Sequence, residues 1–135
     1  MAFEQSLKSI SLNADSSIAA YTGVPGQPGS ADPNTSKMYR FVKVTGDKQV
    51  GLCTDGADTS VGVLQNKPQN VGMAATVAIF GVSFVVAGAA VSAGAAVTSD
   101  SEGRGVAVAS GDATAGIALA AASAAGELIP VLIKG

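Results

Sequence analysis

Few side chains in this 135-residue sequence are suited to chemistry, and their types and spacing limit what they can do. There is no His, so neither a Ser–His nor a Cys–His nucleophile pair can be assembled. The usual catalytic zinc sites, built around His, are excluded with it. The single Cys, Cys53, permits no intrachain disulfide and implies no oxidising compartment. It reads as a small buried hydrophobe, not a reactive thiol. Asp100, Glu102 and Asp112 offer the oxygen ligands a hard cation takes, but not at the spacing of an EF-hand loop. The run SDSEGRG (99–105) is better read as a solvated hairpin turn, with Gly103 and Gly105 supplying positive φ. GDATAG (111–116) lacks the strand-then-helix context of a dinucleotide fingerprint. With aromatics at only 4% to line a sugar cleft, the expectation is no enzyme, no cofactor and no metal.

Charge narrows the partners. Residues 1–67 carry six positive and six negative side chains, and residues 68–135 carry two positive and four negative, for a net charge of −2. No Lys/Arg stripe exists to neutralise a phosphate backbone, so direct nucleic-acid binding is not expected. The N-terminus has no cationic stretch leading into an apolar one, so no secretory signal is expected. Residues 71–97 are uncharged and long enough to span a bilayer, which makes a small membrane-anchored protein the alternative reading. Sixteen of those 27 residues are Gly, Ala, Ser or Thr, and no aromatic belt or basic flank accompanies them. A buried core segment is the better account.

The elements that would carry these residues fall into three zones. Residues 1–22 form an extended N-terminal arm with scattered apolar side chains. Residues 23–36 (GVPGQPGSADPNTS) form a Pro/Gly-rich loop or linker, because Pro removes backbone donors and Gly multiplies conformers. Residues 37–135 are a β-rich domain. MYRFVKVT (38–45) is dense in aromatic and β-branched residues and ends at Gly46-Asp47, with 49–54 returning as its partner. Short runs follow at 61–64 and 73–86, the latter broken by Gly81. The echo AGAAVS (87–92), AGAAVT (93–98) suggests two successive strand-and-turn units, with Gly88, Gly94 and Gly103 as turn glycines. Ala-rich 113–125 has helix propensity but no stripe of large side chains, so strand–turn–strand is expected. ELIPVLI (127–133) reads as a last strand with Pro130 at an edge or bulge.

Composition agrees with sheets. Ala and Gly together fill 42 positions, and 47% of residues are hydrophobic against 13% charged. Such a chain is too apolar for disorder and too short of large side chains for a thick core. The fold class expected is all-β: a small β-sandwich or barrel-like domain of short strands.

The ordered blocks YRFVKV (39–44), GVLQNKP (62–68), VAGAAVSAGAAVTSDSEGRG (86–105) and GIALAAASAAGELIPVLI (116–133) resemble tailed-bacteriophage capsid cement, or head decoration, proteins. An acidic residue commonly follows the Gly-Ile-Ala-Leu block in that family, where this chain has Ala120. The resemblance implies a structural virion protein, usually a homotrimer, that sits on the outer surface of the phage head and clamps neighbouring major capsid proteins. It also implies assembly in the host cytoplasm, with no membrane contact. Residues 1–36 lie outside it. Their apolar set Phe3, Leu7, Ile10, Leu12, Ile18 and Tyr21 makes them candidates for contact with the capsid or a neighbouring copy, through an arm that orders on docking.

Overall fold

The computed structural model describes residues 7–19 and 37–133. They form nine strands: β1 (Leu7–Ala14), β2 (Phe41–Gly46), β3 (Gln49–Leu52), β4 (Gly62–Leu64), β5 (Ala74–Val86), β6 (Ala96–Ser99), β7 (Gly105–Ala107), β8 (Gly116–Ala118) and β9 (Leu128–Ile133). The class is all-β, as composition and turn spacing predict, and there is no α-helix among the described residues.

The strand order is β1-β3-β2-β4-β5-β9-β8-β6-β7, with β1 also paired to β5. That extra pairing closes the first five strands into a small barrel. The remaining strands extend the sheet from the far half of β5. All strand pairings are antiparallel except the short β1–β3 contact, where Asn13 and Ala14 lie beside Gln49 and Val50.

Alternation explains how so few large side chains fill two cores. Adjacent residues of a strand point to opposite faces. Val42, Leu64 and Val77 pack inside the barrel with Ala14, Ile18, Val50 and Ala75. Their chain neighbours Phe41, Val63 and Ala78 point the other way, into a second core with Val85, Val97, Val131 and Ile133. Where β2, β4 and β5 meet, at Phe41 and Val42, Val63 and Leu64, and Val77 and Ala78, the shared wall is therefore buried on both faces. Adjacent residues there are both apolar for that reason. Two buried polar side chains beside the second core have partners: the Thr98 hydroxyl donates to the Gly56 carbonyl at 2.9 Å, and Gln65 Nε2 donates to Ser83 Oγ at 2.7 Å.

Strand β5 serves both halves. Residues 74–81 pair with β1, while 81–86 pair with β9 from Gly81↔Ile133 to Val86↔Leu128. Gly81, at φ 106, sits at the handover. A side chain there would be strained, so glycine lets one strand leave the barrel and enter the outer sheet without a break.

Two expectations hold here, for 71–97 and 113–125, and two change, for Pro130 and Gly105. Residues 71–97, the alternative span, hold β5, tight turns, isolated bridges and the start of β6, and no helix of the described residues is long and apolar enough to cross a membrane. Pro130 is not on an edge strand, since β9 lies between β5 and β8. Its carbonyl accepts from Leu119 N at 2.9 Å. A strand residue's donor and acceptor project to the same edge, so the missing N–H faces the place where β8 has already ended. The 113–125 segment contains β8 and a bridge from Ala122 to Val91, and no helix. Gly105 lies inside β7 without positive φ. A Cβ there would stand 3.1 Å from Val85 Cγ1, so close approach to the core accounts for the glycine.

Candidate functional site

Each residue with chemical potential is occupied by the fold. Cys53 is fully buried in the second core. Burial pushes its thiol up to about 12, with the nearby Asp58 charge adding to the shift. A thiol so disfavoured as thiolate is a poor nucleophile. Asp100 is a local organiser: Oδ1 accepts from Glu102 N and Arg104 N at 2.8 and 2.9 Å, and Oδ2 accepts from Arg104 Nε at 2.8 Å. Arg104 Nη2 also pairs with Glu102 at 2.8 Å. Asp112 accepts from Ala109 N at 2.9 Å. No group of three or more acids or Cys suited to a metal ion occurs among the described residues.

Two further carboxylates hold loops. Lys43 Nζ donates to Asp58 at 2.9 Å, and the N–H groups of Thr54 and Asp55 donate to the same oxygen. These bonds, the lysine's first, hold the Asp58 carboxyl below the usual carboxylate range and raise Lys43. Glu127 accepts from Ala124 N at 2.8 Å and from both donors of Ser123, which lowers its carboxyl likewise.

The turn glycines divide by cause. Gly94 (φ 84) and Gly103 (φ 75) occupy the left-handed region. Gly88 does not; a Cβ there would collide with the Asp100 carboxylate and Val106. Gly103 is constrained twice, because a Cβ would also meet Leu52 Cδ1 at 2.5 Å.

The N-terminal candidates separate sharply. Phe3 and Tyr21 lie outside the described residues. Ile18 is 1% exposed inside the barrel, so it is a packing residue and not a surface contact. Leu12 is partly buried against the same core. Leu7 and Ile10 remain exposed, at 42% and 39%. The segment is strapped to the body: β1 runs along β5 from Leu7↔Gly81 to Asn13↔Ala74, with a bulge between Lys8 and Ser9. Below it, Asp15 Oδ1 accepts from Ser17 N at 2.8 Å, Oδ2 accepts from the Thr45 hydroxyl at 2.7 Å, and Ser17 Oγ accepts from Leu52 N at 2.8 Å. The physical reason that residues 7–19 do not project as an arm is this anchor of Ala14, Ile18 and Asp15 on β2 and β3. Residue types alone favour a loose segment because the partner residues on β5 lie 61 to 74 positions away in sequence.

The described residues thus form a small closed barrel with an appended sheet, its turns held by half-buried or exposed carboxylates. The phage cement protein family model matches residues 35–133, and the chain belongs to that family, whose members are structural proteins of phage. No curated protein sequence matches the chain. Among solved structures it is similar to the N base of head fiber gp8.5 in bacteriophage phi29, with 18% identity, a TM-score of 0.61, and coverage of 96% of this chain and 95% of that one. At that identity the likeness speaks to the fold, and it extends over nearly the whole chain.

Proposed function

We propose that this protein is a capsid cement protein that binds the outer surface of the assembled phage head and stabilises contacts between major capsid proteins. The observation that carries the reading is the family match over residues 35–133, which spans the whole second core and most of the barrel. Cement acts by mass action. A protein that binds only the assembled shell stabilises it by RT ln(1 + [L]/Kd). In a homotrimer, three equivalent contacts of about −4 kcal/mol each, a Kd near 1 mM, give durable attachment through effective concentration alone. No single strong site is needed, which suits a chain without Trp. Leu7 and Ile10, apolar and exposed on β1, are the proposed capsid contacts.

The test is co-sedimentation with empty expanded heads, with the heat resistance of the heads read alongside. Saturable binding and a raised disruption temperature are expected. Heads that neither retain nor benefit from the protein end the reading. Leu7→Lys with Ile10→Lys should weaken retention at least tenfold; unchanged retention moves the contact elsewhere.

A further inference from the structure

Among the described residues, one face of the outer sheet has no layer packed over it. Cross-strand pairs share a face, and Val82↔Leu132, Phe84↔Pro130 and Val86↔Leu128 all point away from the second core. Phe80 continues this face along β5, and Ile117, paired with Leu132, continues it onto β8. No side chain among these is charged. Phe80 is 56% exposed, Leu128 51% and Phe84 45%. Tyr39, at a left-handed φ of 65, turns its ring edge-on to Phe84 at 6.2 Å between centroids. Among the described residues, charge lies at the rim of this face, at Lys8 beside Phe80 and at Glu127 before Leu128.

The area fits one occupant. Taking about 150–250 Å² for an aromatic side chain, the exposed halves of Phe80 and Phe84 amount to roughly 200 Å², and the whole face to on the order of 500 Å². A standard interface removes about 800 Å² per partner, of which about 65% is apolar in homomeric assemblies, again on the order of 500 Å². An uncharged face of that size on a free chain of net charge −2 is an association site before any shell is met. We infer that the outer face of β5, β9 and β8 is the surface through which copies of this chain bind one another. The inference rests on the self-association part of the proposed function and not on its capsid part. Closed symmetry follows if each copy turns the same face to a common axis, with Lys8 and Glu127 in the polar rim.

The experiment is light scattering after size exclusion on the wild type and on Phe80→Glu, Leu128→Glu and the double variant, with circular dichroism to check the fold. The wild type should run as a small whole multiple of 13.1 kDa. Each single variant should dissociate at least tenfold more readily, and the folded double variant should run as one chain. If the double variant fails to fold, hydroxyl-radical labelling of the wild type decides: Phe80 and Phe84 should be protected at high concentration and labelled on dilution. A wild-type protein that is a single chain at tens of micromolar, or folded variants that keep their mass, overturn the inference. A single-chain wild type whose Phe80→Glu form loses the heads would assign the face to the capsid and overturn it equally. Copies that assemble through this face but ignore heads count against the cement reading alone.

Discussion

At the residue scale, the chemistry of this chain is spent on turns. Asp58 shows the cost and its sign. Its carboxyl is lowered in the folded state by Lys43 and by the Thr54 N–H, so it stabilises the fold above the unfolded carboxylate range, and that contribution is lost as pH falls through the folded value. Lys43 is raised by the same contact, and its share is present below the ordinary lysine range and lost as pH rises through the folded value. The pair therefore supports the loop across the neutral range and fails at both extremes. Asp58→Asn should flatten the acid limb of a stability-against-pH curve, so that the gap to the wild type narrows steadily as pH falls below the ordinary carboxylate range; a gap that stays the same from pH 7 down to the acid end of the curve would remove the electrostatic account. Cys53, Asp100 and Asp112 were legible from type and spacing alone. A Cys without a neighbouring His, and acids interleaved with Gly, have little else to do. The reason for Gly51 was not legible: the Asp15 carboxylate lies where its Cβ would be, a contact between residues thirty-six positions apart.

At the element scale, local signals worked where strand partners are close in sequence. The runs at 38–45, 49–54, 61–64 and 73–86 all hold strands, with β2–β3 and β4–β5 paired across short loops. Where propensity and patterning disagree, patterning decides, and the strand–turn–strand expectation for 113–125 holds. The Ala-rich 113–125 segment has helical preference, yet β8 pairs with both β6 and β9. Ala there supplies small volume between close strands, and propensity yields to that packing. Gly81 was legible as an interruption but not as a handover within one strand. Its role makes a clear test. Gly81→Ala forces a side chain into φ 106 and should cost about 1–3 kcal/mol, read as a shifted urea midpoint at unchanged slope. A change under a few tenths of a kcal/mol would show that the backbone relaxes freely there. Gly94 has open space around it, so Gly94→Ala should cost only the left-handed penalty, about 1–2 kcal/mol.

At the scale of the whole molecule, the fold uses few large side chains by making strands serve twice. The wall of β2, β4 and β5 closes the barrel with one face and floors the second core with the other. This explains a chain with 17 glycines and no Trp that still buries two separate apolar clusters. Among the described residues it also leaves the outer face of β5, β9 and β8 with no further layer over it.

That common wall has a thermal consequence. Neither cluster can melt while the other persists, since loosening Val77 exposes Ala78 on the reverse side. Scanning calorimetry of the dissociated double variant should give one endotherm whose van't Hoff and calorimetric enthalpies agree. Two resolved peaks would mean that the barrel and the outer sheet are separable bodies. A shell fastened by such a pin would shed it whole at one temperature, never by gradual softening.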